Sequence, residues 1–328
     1  MFIDILLFIL GFVFLVKGAG VLVDGASAIA KHFGLSSFFI GLTIVAFGTS
    51  LPELIVSLMA SLQGSTGIAF GNIIGSNISN TILILGVTAM VAPLLVKKAT
   101  INKELPFSLL AILALGFLVN DIFIDGNGPD ALTRIDGLIL LLFFAIFIFY
   151  TFGISKPKES LVEKTVGDIG NVDDDANMKN TNAIGMIIAG LAGLYLGGRW
   201  IVSGGISFAE FFGVSEALIG LTLVAIGTSL PELVTSVVAA RKGKTDIAVG
   251  NIVGSNVFNL LWVLGLSALF SPIAFDFYLN VDLIILFIAT IILIILTYLE
   301  KKNILSKKEG TVLVLFYFFY MAFLFYRG

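Results

Sequence analysis

Apolar runs about as long as a bilayer is thick recur along the whole chain and leave few folds open to it. A spanning helix needs about 20 mainly apolar residues. Ten such runs can be marked: 2–28, 35–62, 67–94, 105–120, 132–152, 182–208, 215–240, 246–271, 278–299 and 310–326. Charged residues make up 12% of the chain against 58% hydrophobic, and mean hydropathy is +1.07. That is too little polar surface to cover a soluble globule, so the sequence reads as a polytopic, all-α membrane protein. MFID lacks the basic stretch of a signal peptide, and the run behind it outlasts a signal core, so the first run is taken as a span. With no cysteine, disulfides, thiolate metal sites and thiol chemistry are excluded.

Lysine and arginine set the orientation. With the N-terminus outside, the inner connections hold Lys31, Lys97, Lys98, Lys103, Lys156, Lys158, Lys164, Lys179, Arg241, Lys242, Lys244, Lys301, Lys302, Lys307 and Lys308. Only Arg134 and Arg327 fall outside. The positive-inside rule therefore places both termini outside and the polar segment 153–181 inside.

The chain also repeats itself. Residues 33–86 return as 212–265 at a constant offset of 179, without a gap. GTSLPE at 48–53 falls on GTSLPE at 227–232, and Gly71-Asn72-Ile73 falls on Gly250-Asn251-Ile252. Gly75-Ser76-Asn77 falls on Gly254-Ser255-Asn256, and Asn80 on Asn259. Each half carries five spans, an odd number, so the second enters the membrane from the opposite side. The predicted architecture is ten transmembrane helices in two inverted repeats, 1–152 and 182–328, with broken helices at the midplane and 153–181 as a short cytoplasmic linker. Inverted repeats of this kind bind their cargo where the broken helices of the two halves meet.

GTSLPE by itself has a plain structural explanation, because Ser50 and Glu53 have the spacing of a capping box and Pro52 suits a first helical turn. Its depth argues for more. Glu53 and Glu232 lie near the middle of spans two and seven, where an ionised carboxylate costs at least ~2.5 kcal/mol. The break at Gly48 and Pro52 also releases carbonyls near Ala46 and Thr49 that need a partner in hydrocarbon. A bound cation satisfies carbonyls and carboxylates together. Asn72, Ser76 and Asn80 recur every four residues along one helical face, as do Asn251, Ser255 and Asn259. Gly71 with Gly75, and Gly250 with Gly254, are spaced to let a neighbouring backbone come close. An all-oxygen site with two carboxylates suits hard cations: calcium takes 6–8 oxygens and needs two negative charges. Sodium would use the same oxygens, so loading of the two ions would be mutually exclusive.

Two copies of GTSLPE, each followed by GNxxGSN at one fixed offset, resemble the alpha-repeats of the cation/calcium antiporter superfamily, in its sodium/calcium exchanger branch of prokaryotic type. The resemblance implies an antiporter exchanging sodium for calcium by alternating access. Glu53 and Glu232 would be the shared ligands, helped by the carbonyls of Thr49 and Thr228. Ser50, Ser76, Ser229 and Ser255, with the carbonyls of Ala46 and Ala225, would complete flanking sodium sites, and Asn80 and Asn259 would line the centre. An amide at Asn259, where some relatives carry aspartate, disfavours potassium cotransport. Spans one and six, with Gly11, Gly18, Gly20 and Gly25 in one and Gly190, Gly193, Gly197, Gly198, Gly204 and Gly205 in the other, would slide across a fixed core. No cofactor is implied: Ca²⁺ and Na⁺ bind as substrates. The partners are these ions and the lipid bilayer of the cell membrane, with no nucleic acid.

Three rivals stay open. A proton/calcium antiporter could use the same scaffold, since protons compete with cations for the two carboxylates. A cation channel would need similar oxygens but no counter-ion. An intramembrane enzyme would need a nucleophile and base beside its acidic cluster, and Asp173-Asp174-Asp175 lies in the linker without either. Lys17 and Arg199, within apolar runs, read as snorkelling or paired side chains. His32, in a short connection, is assigned no role, and Asp121, Asp125 and Asp130 read as a solvated loop.

Overall fold

The computed structural model describes residues 2–126, 129–153, 180–211, 225–299 and 303–327. Its long elements are α1 (Phe2–His32), α2 (Ser37–Thr49), α3 (Leu51–Leu62), α4 (Thr66–Val91), α5 (Thr100–Leu118), α6 (Arg134–Gly153) and α7 (Asn180–Phe211). They continue as α8 (Ala225–Thr228), α9 (Leu230–Arg241), α10 (Thr245–Phe270), α11 (Leu279–Leu299) and α12 (Lys307–Arg327). Among the described residues, eight helices are long and apolar enough to cross a membrane. The pair α2 and α3, bent by 45° at Ser50, makes a ninth span, and α8 with α9 repeats its second half. The segment just before Ala225, including Phe212-Gly213 and Gly220-Leu221-Thr222, lies outside the described residues, as do most of the linker and Asp173-Asp174-Asp175.

The ends of these helices follow local chemistry. Pro52 and Pro231 sit in the first turns of α3 and α9, where a missing N–H costs nothing. Gly64 and Gly243, equivalent in the repeat, adopt φ of 75° and 72° and close those helices. The residues that follow complete the wrap: Ser65 N–H donates to the Ala60 carbonyl at 2.9 Å, and Lys244 N–H to the Ala239 carbonyl at 2.8 Å. The first span runs to His32, past the residue 28 expected of it, because an apolar stretch ending in Ala-Ile-Ala stays helical until Gly34 turns left-handed at φ 60°. His32 therefore caps a helix rather than lying in a connection, and its ring stacks edge-on against Phe33.

At the centre stand α4 and α10, with 78% of their spanning windows buried against 22–39% for the other long helices. Each contains a π-helical turn, Ser79–Ile84 and Phe258–Val263, at equivalent positions of the two halves. Gly250 and Gly254 on α10 take the backbone of α2: a Cβ at Gly250 would sit 2.6 Å from the Phe38 carbonyl oxygen and 2.8 Å from Leu42 N.

The halves interleave. Strand β1 (Leu94–Leu95) pairs antiparallel with β4 (Ile304–Leu305), and β2 (Ala131–Leu132) with β3 (Ile273–Ala274). The last span of each half thus lies against the third span of the other. Where α4 crosses α12, Gly86 faces Gly310, and where α6 crosses α10, Gly137 faces Gly265. Outside this core, α1 and α7 pack along their length on a seam of glycines spaced by seven: Gly11, Gly18 and Gly25 against a run containing Gly190, Gly197 and Gly204. A Cβ at Gly18 would lie 2.9 Å from the Gly190 carbonyl oxygen, and one at Gly197 2.7 Å from that of Gly11. Such approach is how helices associate where lipid removes the hydrophobic drive.

Candidate cation site

The break at Ser50 does not form a capping box, since the Ser50 side chain makes no bond to the start of α3. It turns instead to the other half, and its hydroxyl lies 3.3 Å from Glu232 Oε1. Ser229 repeats the arrangement, with its hydroxyl 3.3 Å from Glu53 Oε1. Each carboxylate is thus held by the serine of the opposite repeat. Both glutamates are completely buried, and the two interact electrostatically.

A further hydroxyl singled out from the sequence stands beside Glu232. Ser255 Oγ lies 3.4 Å from Glu232 Oε1 and the same distance from Thr49 Oγ1. Ser76, Asn80 and Asn259 are fully buried, the two asparagines on the π-helical turns of α4 and α10. A π turn shifts the register of the helix and commonly marks a functional position. The Ala46 carbonyl accepts the Ser50 N–H at 3.0 Å, so it is not left bare by the break. Ala225 begins α8, and its side chain lies outside the described residues.

The chemistry of the donor set fits a hard cation. Glu53 Oε2, Glu232 Oε2, Ser76 Oγ, Asn80 Oδ1 and Asn259 Oδ1 are buried oxygens with no hydrogen-bond partner among the described residues. Orphaned buried oxygens are costly and rare in a native fold, and two of these belong to carboxylates. A cation of radius near that of Na⁺ or Ca²⁺ is satisfied by such oxygens.

A cleft of about 350 Å³ opens between α7 and the two broken helices. It is lined by Pro52, Val56, Tyr195, Arg199, Thr228 and Pro231 among others. Arg199 is thus on the wall of the cleft, exposed, rather than buried in an ion pair. Lys17 is exposed on α1. Further along α1, Lys242 Nζ lies 2.7 Å from both carboxylate oxygens of Asp24 and 2.9 Å from the Gly20 carbonyl, tying α1 to the end of α9. Of the acidic residues read as a solvated loop, Asp121 and Asp125 begin and end a short helix, and Asp130 accepts the Ile122 N–H at 2.9 Å.

Sequence reasoning missed the part played by Asn72 and Asn251, which it placed in the oxygen stripe. Both amides are engaged by protein groups at both ends. Their fixed distance of 19 residues from the glutamate in both repeats was the available signal.

Known proteins agree with this architecture. The profile described as sodium/calcium exchanger protein matches residues 3–153 and 182–326. The sodium/calcium exchanger MaX1 of Methanosarcina acetivorans is 36% identical over 355 residues, 99% of each chain. The putative antiporter CaxA of Alkalimonas amylolytica is 36% identical over 322 residues, 97% of each. Among solved structures, that of the sodium-calcium exchanger NCX_Mj soaked with 2.5 mM Na⁺ and 0.1 mM Ca²⁺ matches with a TM-score of 0.81 and 31% identity over 98% of both chains. On the sequence profile, the two full-length relatives and the shared fold, this multi-pass membrane protein belongs to the sodium/calcium exchanger protein family of cation/calcium antiporters.

Proposed function

We propose that the protein exchanges sodium for calcium across the cell membrane, with Glu53 and Glu232 as the ligands common to both ions. The reciprocal pairing of Ser50 with Glu232 and Ser229 with Glu53, leaving one oxygen of each carboxylate free, is the observation that carries this reading. Thr49, Thr228, Ser76, Ser255, Asn80, Asn259, Ala46 and Ala225 complete the ligand set. Residues 1–152 and 182–328 act as two repeats of one transport unit, and no cofactor takes part. The hydroxyl, amide and carbonyl oxygens that flank the carboxylates serve calcium with either counter-ion and are available to sodium as well. A proton needs only a carboxylate, whereas sodium needs the surrounding oxygens. MaX1, similar over its whole length, is named a sodium/calcium exchanger.

Transport follows by alternating access. With both termini outside, the cleft beside Pro52 and Thr228 faces outward and the Asp24–Lys242 pair closes the inner side. The repeat offset carries Asp24 onto Ser203 and Lys242 onto Gln63, so the inner closure has an ion pair that the outer one lacks.

Radiolabelled calcium uptake into proteoliposomes tests the reading. Vesicles loaded with sodium and diluted into sodium-free buffer are expected to accumulate calcium, while those loaded with potassium or given only a pH gradient are not. Uptake driven by the pH gradient alone would establish the proton/calcium antiporter instead. Uptake without any counter-ion would point to a channel.

A further inference from the structure

Asn72 and Asn251 carry the same set of hydrogen bonds in the two repeats. Asn72 Nδ2 donates to the Glu53 backbone carbonyl at 3.2 Å and to Ser57 Oγ at 2.9 Å. Asn251 Nδ2 donates to the Glu232 carbonyl at 3.4 Å and to Ser236 Oγ at 3.0 Å. A carbonyl oxygen only accepts, so each amide must turn its nitrogen toward the glutamate of its own half. The amide oxygen is then left to face the other half. It accepts there from a threonine hydroxyl: Thr228 Oγ1 to Asn72 Oδ1 at 3.2 Å, and Thr49 Oγ1 to Asn251 Oδ1 at 3.0 Å. Both asparagines are buried, as are all four hydroxyl partners.

We infer that Asn72 and Asn251 are positioning residues, two crossed clamps that each fix the glutamate-bearing turn of one repeat to the threonine of the other. The inference rests on the site proposed above. The single amide plane makes the two attachments rigid with respect to each other. A shift of Thr228, whose carbonyl stands in the proposed ligand set, is therefore felt at Glu53, and a shift of Thr49 at Glu232. No other side chain meets the demand: aspartate lacks the donor, serine the reach, and glutamine adds a methylene to a buried space. Ion binding at either break thereby orders ligands from both halves, which suits a site that must be complete before it crosses the membrane.

A double-mutant cycle tests the crossing. Asn72→Ala and Thr228→Val, which keeps the Thr228 carbonyl but removes its hydroxyl, are measured singly and together for calcium KM and kcat in proteoliposomes. Asn72→Ala with Thr49→Val is the control pair, since Thr49 bonds to Asn251 rather than Asn72. Each single variant is expected to raise KM about two- to tenfold, with kcat less affected. The Asn72/Thr228 double variant is expected to be no worse than Asn72→Ala alone, whereas the effects of the control pair multiply. Multiplication in both pairs, or an unchanged KM for Asn72→Ala, overturns the inference. Should Asn72→Ala fail to reach the membrane, Asn251→Ala with Thr49→Val is the mirror cycle, with Thr228→Val as its control. Glu53→Gln run alongside separates the two layers: if it exchanges normally the site itself is wrong, and if it is dead while both cycles multiply, only the clamps are.

Discussion

Ser50 Oγ reaches across the pseudo-symmetry axis to within 3.3 Å of Glu232 Oε1, so the residue that opens one broken helix holds the carboxylate of the other. Ser229 does the same for Glu53, so each glutamate takes this contact from the opposite repeat. Glu53→Gln and Glu232→Gln are each expected to abolish calcium exchange while leaving expression and membrane insertion unchanged, since a neutral amide cannot balance a divalent ion. Ser50→Ala, which removes one hydroxyl and leaves both charges, is expected to weaken calcium uptake by about tenfold or less. Calcium uptake by the purified variants, with size-exclusion profiles for folding, checks both. Normal exchange by either glutamine variant would remove that residue from the site.

The spans, the inverted repeat and the pairing of Glu53 with Glu232 could be read from the sequence because each is periodic or written twice. Partner choice could not. In lipid every apolar face resembles every other, so nothing in residues 134–153 says that they lie against α10 rather than α4; that follows from the close fit of Gly137 on Gly265. The seven-residue spacing of Gly11, Gly18 and Gly25 was visible, yet Gly20 looked equivalent until the structure put the Gly190 carbonyl against Gly18 and Lys242 beside Gly20. Asn72 shows a similar limit. Helical periodicity gives the face a side chain occupies but not whether its amide is free to meet an ion.

That glycine seam gives a second prediction. An alanine at Gly18 would place its Cβ 2.9 Å from the Gly190 carbonyl oxygen and from Leu194 N, both backbone atoms that cannot yield without moving a helix. Gly18→Ala and Gly197→Ala are therefore expected to push α1 and α7 apart and to slow calcium exchange at saturating ion more than they alter calcium KM, because neither residue touches the site. Initial rates across a calcium titration distinguish the two parameters, and a change confined to KM would argue against the seam.

The Asp24–Lys242 pair predicts a bias between the two states. Both side chains are partly exposed, at 40% and 35%, and an ion pair of that kind contributes roughly 0.2–1 kcal/mol, a population change of about 1.5- to 5-fold. Asp24→Asn is expected to shift the ion-free protein toward the inward-open state by that amount. The absence of cysteine allows a direct reading: Tyr195→Cys, on the wall of the outer cleft, is labelled by an impermeant maleimide from outside. Labelling is expected to slow when Asp24→Asn is added, and unchanged labelling would show that the pair does not hold the inner side closed.

Charge balance at the site predicts how sodium competes. Two buried carboxylates leave two negative charges to be neutralised before the site can cross hydrocarbon, and Asn80 and Asn259 add none. One calcium ion suffices, but a single sodium ion leaves a net negative charge in the membrane at a cost of at least ~2.5 kcal/mol. At least two sodium ions must therefore bind together. External sodium is expected to inhibit calcium uptake competitively with a Hill coefficient clearly above one, while calcium itself saturates with a coefficient of one. If a third sodium ion rides along, the loaded site carries a positive charge, and exchange gains about 2.3 kcal/mol of voltage dependence per 100 mV. Sodium titrations of calcium uptake at potentials clamped by valinomycin separate the two cases. A sodium coefficient of one at every potential would mean that the two glutamates do not share their charge over one common site.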